Sequence, residues 1–311
     1  MKNKSLLIAT VFAASAMTVS AQDLTSKKGE TMLPESGDWA ISFDATPFLN
    51  YAGQLLSNAG ATAPTAGYTN GYPWAIKGKM FKDEKTAYRA GLRLGFGNQK
   101  WTGMIATPQA SSFVAPEYPA ESPMGEDEYK ASYNSVVLTG GLEMRRGKTR
   151  LQGYYGGELV FGMGGTKNAY TYSNALSAGD PATLDPNVTI GDSYDFGSNL
   201  TGVSDPLGNG ARQLELKSSS MMFGLRGFIG VEYFILPKIS IGAEYGWGLG
   251  FGSTKTTSIV ESQGFLTSGN IATSEFTTET KTGGFMIDSD IQNSATGLVG
   301  GSGSLNIIFH F

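Results

Sequence analysis

The stretch Ser304 to Phe311 reads "SLNIIFHF", and its pattern governs everything upstream of it. Counting back from Phe311, the residues Phe309, Ile307 and Leu305 share one parity, while His310, Asn306 and Ser304 share the other, with Ile308 the exception. A period of two is the mark of a strand with one apolar and one polar face.

The other end of the chain sets the compartment. "MKNKSLLIATVFAASAMTVSAQ" places Lys2 and Lys4 ahead of an apolar run from Leu6 to Val19, followed by the small residues Ser20 and Ala21. This is the pattern of a secretory signal peptide cut after Ala21. The apolar run is shorter than the ~20 residues a spanning helix needs. Removing Lys2 and Lys4 leaves 21 basic against 27 acidic residues, a balance that gives no basic surface for nucleic acid. Cysteine is absent, so disulfides and thiolate metal sites are excluded.

The composition carries a tension. Mean hydropathy is −0.14, which suits a soluble chain, yet 43 Gly, 14 Tyr and 17 Phe accompany only 16% charged residues. A transmembrane β-barrel resolves it, because alternating lipid-facing and lumen-facing residues average to near-neutral hydropathy. Strand-sized alternating segments recur at about 38–51, 73–82, 86–102, 128–145, 149–172, 212–234, 239–257 and 297–311. Tight turns follow at "KDEK", "RRGK" and "LPK". The intervening connections, about 52–72, 103–127, 173–211 and 258–296, are long and polar. Short turns on one side and long loops on the other predict an eight-stranded antiparallel up-and-down transmembrane β-barrel over 38–311 with four extracellular loops. Residues 22–37 are expected to form a mobile periplasmic lead-in. An open sheet edge in lipid would leave backbone groups unsatisfied at several kcal/mol each, so the last strand is expected to close on the first.

Parity then assigns the faces. Trp74, Ile76, Met80, Tyr88, Leu92, Leu94, Phe96, Val136, Leu138, Leu142 and Met144 fall outward, as do Leu151, Tyr155, Leu159, Phe161, Phe223, Leu225, Ile229, Val231, Tyr233, Ile241, Tyr245, Trp247, Leu249 and Phe251. Charged residues of the strand cores fall on the other face: Lys77, Lys79, Arg89, Arg93 and Arg226 against Asp44, Glu143, Glu158, Glu232 and Glu244. Eight strands enclose an interior that side chains just fill. Charges confined there must pair, since an unpaired buried charge is strongly destabilising. The expectation is a closed lumen crossed by salt bridges, with inward glycines making room for long side chains.

Taken with the signal peptide, the turn and loop alternation and the terminal "NIIFHF", the chain resembles the small eight-stranded outer-membrane barrels of the OmpA/OmpX type, without a peptidoglycan-binding domain. The resemblance implies an address in the cell outer membrane and contact with outer-membrane lipid and lipopolysaccharide. It also implies recognition of the carboxyl-terminal strand by the barrel-insertion machinery. The molecular role expected is non-enzymatic: surface loops for interaction or assembly with other envelope proteins. A narrow channel for small or hydrophobic solutes is the alternative.

Other constellations carry less. The one histidine, His310, lies at the expected periplasmic rim with no evident nucleophile beside it, which leaves a lipid hydrolase without its nucleophile and names no catalytic residues. The acidic runs at Glu126, Asp127 and Glu128 and at Asp185, Asp192 and Asp195 do not match calcium-loop spacing. "GLGFGS" at 248–253 is followed by no helix, so no phosphate cradle is expected. No cofactor or metal is called for.

Overall fold

The computed structural model describes residues 25–26, 29–44, 54, 75–106, 124–176, 193–265, 271–289 and 304–311. Among these residues the fold is all-β and antiparallel. The strands are β1 (Trp39–Asp44), β2 (Ala75–Asp83), β3 (Thr86–Ala106), β4 (Met124–Arg146), β5 (Leu151–Thr171), β6 (Ala211–Leu236), β7 (Ile239–Phe265), β8 (Ile271–Ser289) and β9 (Ser304–His310). The signal-peptide segment and the strand extensions expected at 45–51, 73–74 and 297–303 lie outside the described residues.

The sheet closes in a ring. Each strand from β1 to β7 pairs with its successor, β9 pairs with both β7 and β1, and Trp39 exchanges backbone hydrogen bonds with Phe311 at the seam. The expected eight strands become nine because 271–289, expected to be loop, is a strand. It pairs with β7 from Phe265 down to Trp247, whereas β9 takes the same side of β7 from Glu244 down to Ile239. The two therefore share one lane, and the ring has eight lanes.

The ladder also fixes the stagger. From Ile241 on β7 the rungs run to Ile307, Phe43, Ile76, Leu92, Leu138, Phe161 and Phe223, and return to β7 at Phe251, ten residues further along. Eight lanes with that stagger tilt the strands by ~40° and set a backbone radius of ~8 Å.

The parity exception in the last strand now has its reason. Ile308 turns inward and is buried with Ala40, Phe81 and Ala87 in a small apolar layer at the turn end of the ring. Within the 22–37 lead-in and just beyond it, residues 29–38 make contacts with the turn end of the ring. Met32 and Pro34 are buried, Ser36 donates to the Lys82 carbonyl at 2.7 Å, and Gly37 donates to the Phe81 carbonyl at 2.8 Å. A polar average over the segment concealed two apolar side chains that find cover.

Candidate functional site

Two features stand out along the ring: an ionic interior, and a folded crown at the end away from the tight turns.

The interior is built by strict alternation, which delivers every second side chain of each strand to the middle. Lys79 on β2 reaches Glu143 at 3.0 Å and Glu232 at 3.2 Å. Arg89 on β3 reaches Glu244 at 2.8 Å and Glu143 at 3.4 Å. Arg226 on β6 bridges Glu158 at 2.8 Å and Glu244 at 2.9 Å, and Lys77 meets Glu244 at 3.4 Å. Two of these pairs matter most. In a ring of eight lanes, β2 and β6 stand opposite one another, as do β3 and β7, so Lys79–Glu232 and Arg89–Glu244 cross the full interior. Side-chain ions touch across the diameter, and the ring is filled at that height.

Eight of the ten charged residues singled out from the sequence are joined in this one network. Arg93 stands four residues above Arg89 on the same face of β3, half-buried, opposite Ala75 and Val137. Asp44 ends β1 beside Asn306. Glycine supplies the clearance where long side chains cross. A Cβ on Gly246 would lie 2.8 Å from the Arg226 guanidinium, and one on Gly230 would strike the Tyr154 ring.

Three participants were not anticipated. Arg145 is fully buried and donates to Glu143 at 2.8 Å and to Glu232 at 2.9 Å, its guanidinium lying near the Phe81 and Phe234 rings. It shares parity with Glu143 but opens the "RRGK" turn, where parity alone does not give a side chain's direction. Tyr154 hydrogen-bonds Glu244 at 3.3 Å, with the Lys79 ammonium 4.6 Å from its ring centre. His310 is buried between Phe81 and Phe234, with Nε2 at 3.0 Å from both Glu232 and Ser240.

A serine therefore does stand beside the histidine, contrary to expectation. The relay geometry is nevertheless different from a hydrolytic triad, in which the acid holds one ring nitrogen and the hydroxyl meets the other. Here Glu232 and Ser240 share Nε2, Ser240 also donates to Glu232 at 2.6 Å, and all three side chains are buried. The three buried side chains hold one another in place.

At the crown, β3 to β8 continue well past the ionic interior, and the segment 193–210 folds back onto their inner faces. Asp127 is fully buried and accepts from the Ser173 amide and hydroxyl and from the Tyr194 amide, each at 2.8 Å. Trp101, Tyr129, Tyr170 and Tyr172 stack in sequence across β3 to β5, with Phe196 leaning on Tyr129 and Tyr170. Asn199 ties the turn by donating to the Tyr194 carbonyl at 2.9 Å and to the Tyr172 hydroxyl at 3.2 Å. Burial pushes the Tyr172 phenol up to about 12. Asp205 is partly buried, which acts to raise its pKa, but bonds from the Ser262 hydroxyl and from the Gly210, Gly208 and Leu207 amides hold it below the ordinary aspartate value. Within the 126–128 run, whose spacing matches no calcium loop, Asp127 is a buried hydrogen-bond hub. Of the stretches 103–127 and 258–296, expected to be loops, residues 103–106, 124–127, 258–265 and 271–289 are strand.

No family model matches the chain, and neither a curated protein nor a solved structure is similar to it.

Proposed function

We propose that this chain is a non-enzymatic integral protein of the cell outer membrane, a transmembrane β-barrel with a closed lumen whose crown serves interaction or assembly with other envelope components. The observation that carries the reading is the inversion of faces. All nine side chains of the rung from Ile241 round to Phe251 are large and apolar, and each is 37% to 56% exposed. Soluble monomers rarely expose a contiguous apolar patch beyond a few hundred Å². Acyl chains would cover this belt, while the interior, apolar in an ordinary domain, holds the charges. Export through the amino-terminal signal, insertion through the closing strand and contact with lipopolysaccharide belong to the same proposal.

The lumen separates this reading from a channel. Ion pairs spanning the diameter favour a closed lumen, so planar-bilayer recordings of the purified full chain are expected to show no stable open conductance. A reproducible open level at moderate voltage would replace the proposal with a narrow channel for small solutes. The crown argues for interaction: an extended strand wall with a hydrogen-bonded segment packed inside it presents a fixed surface, and residues displayed above a rigid scaffold commonly carry binding.

A further inference from the structure

The outer wall of the crown repeats one device in each of its three hairpins. On the rising strands, "FGNQK" at 96–100, "MGGTK" at 163–167 and "FGSTK" at 251–255 place a lysine four residues beyond a large outward apolar side chain of the belt. On the falling strands, "EYK" at 128–130, "ELK" at 215–217 and "ETK" at 279–281 place a second lysine two residues from a glutamate. The ladder brings them together: Lys100 faces Lys130, Lys167 faces Lys217, and Lys255 faces Lys281 directly across the strands. Like charges in directly opposed positions destabilise a sheet. In each pair one lysine is relieved by its hairpin's glutamate, Lys100 by Glu128 at 2.6 Å, Lys167 by Glu215 at 2.7 Å and Lys255 by Glu279 at 2.6 Å. Among the described residues no carboxylate closes within salt-bridge distance of Lys130, Lys217 or Lys281, and all three are exposed.

All six lysines share the face that carries the apolar belt. Because the rungs climb round the ring, lysines set four residues above Phe96, Met163, Met221, Phe251 and Phe285, and six above Val136, fall close to a single height. Four residues on a strand tilted by ~40° rise ~10 Å. The headgroup layer begins where the hydrocarbon ends and is ~5–7 Å deep on each side. A lysine stem laid back along the wall brings its ammonium into that layer. The girdle is positive on a chain whose formal charge is −4.

We propose that Lys130, Lys217 and Lys281, one in each hairpin, bind the phosphate groups of anionic lipids whose acyl chains cover the apolar belt. The inference rests on the membrane-spanning reading above and gives its crown-side leaflet a headgroup chemistry. It completes each cross-strand pair: one lysine is neutralised by the protein and the other by a lipid phosphate.

The test uses the full chain reconstituted in phosphatidylcholine vesicles containing phosphatidylglycerol, with either lipid brominated to quench the outward Trp247. The wild type is expected to prefer phosphatidylglycerol by ~5-fold or more, given the attraction of each lysine to an anionic surface. Lys130→Gln/Lys217→Gln/Lys281→Gln should bring the ratio close to one while brominated phosphatidylcholine alone quenches it as it does the wild type. A wild type without preference, or a triple variant that keeps it, overturns the inference and leaves the membrane reading intact. Absence of quenching by any brominated lipid in the wild type ends both. Two measurements need no variant: raising ionic strength must shrink the wild-type preference, and an unchanged ratio counts against the girdle. Loss of the preference on adding millimolar inorganic phosphate at constant ionic strength would assign the site to a soluble anion and reject the lipid.

Discussion

Arg145 shows how much one side chain carries in the interior. Its guanidinium spans Glu143 and Glu232, both wholly buried, and Glu232 in turn holds Lys79, Ser240 and His310. Replacing it with alanine leaves two carboxylates sharing the remaining cations and opens a cavity beside Phe81 and Phe234. Removing one partner of a buried pair costs ~3–5 kcal/mol. Arg145→Ala is therefore expected to destabilise the protein by that amount in urea unfolding from lipid vesicles, whereas the exposed Lys85→Ala should change little. Equal midpoints for the two variants would show that the ionic interior is dispensable. Parity alone identified eight members of this network, because an alternating strand fixes direction without any knowledge of partners. Arg145 and His310 escaped for a common reason: both lie at strand ends, where a turn residue and a wall residue look alike until the register is known.

At the scale of the element, the sequence spoke clearly wherever one strand face is apolar and the other ionic, and fell silent where both faces are polar. β8 is the clearest case. "IATSEFTTETKTGGFMIDS" has no apolar alternation before Phe285 and is exposed along nearly its whole length, so it reads as loop. Its threonines suit a strand, and the β7 ladder holds it, but neither fact leaves a periodic trace. The crown segment 193–210 is hidden in the same way, since Asp127, Asn199 and Asp205 act through bonds to backbone amides that no spacing rule announces. One glycine records its position. A Cβ on Gly103 would meet the Tyr194 ring, so Gly103→Val should push that ring out and break the 2.8 Å bond from the Tyr194 amide to Asp127. Leaving a buried acceptor short costs ~1–3 kcal/mol, and hydrogen exchange at Tyr194 and Phe196 should accelerate about tenfold or more. Ladder amides of β5 and β6 below the crown serve as the internal reference. Unchanged protection at Tyr194 would mean that the segment does not depend on this contact.

For the whole molecule, the stagger of ten residues over eight lanes links shape to surroundings. It tilts the wall, turns an apolar rung into a rising belt, and brings side chains of opposed strands close enough to touch. On the proposed membrane reading acyl chains cover the belt, whereas in water it would be bare. The two faces can therefore be tested against each other. Leu225 lies within the belt, flanked on its rung by Leu159 and Leu249, while Ser219 lies on the same strand and face beyond Met221, above the belt. An arginine at mid-depth in lipid costs ~2–4 kcal/mol and one near the interface ~0–1 kcal/mol. Leu225→Arg should accordingly lose that larger amount when refolded into phosphatidylcholine vesicles, and Ser219→Arg should fold almost as well as the wild type. A soluble fold predicts the reverse concern, for Leu225→Arg would then relieve an exposed apolar residue and raise solubility without lipid. Equal folding of both variants into vesicles would remove the membrane from the account, since depth along the wall would no longer matter to the cost of a charge.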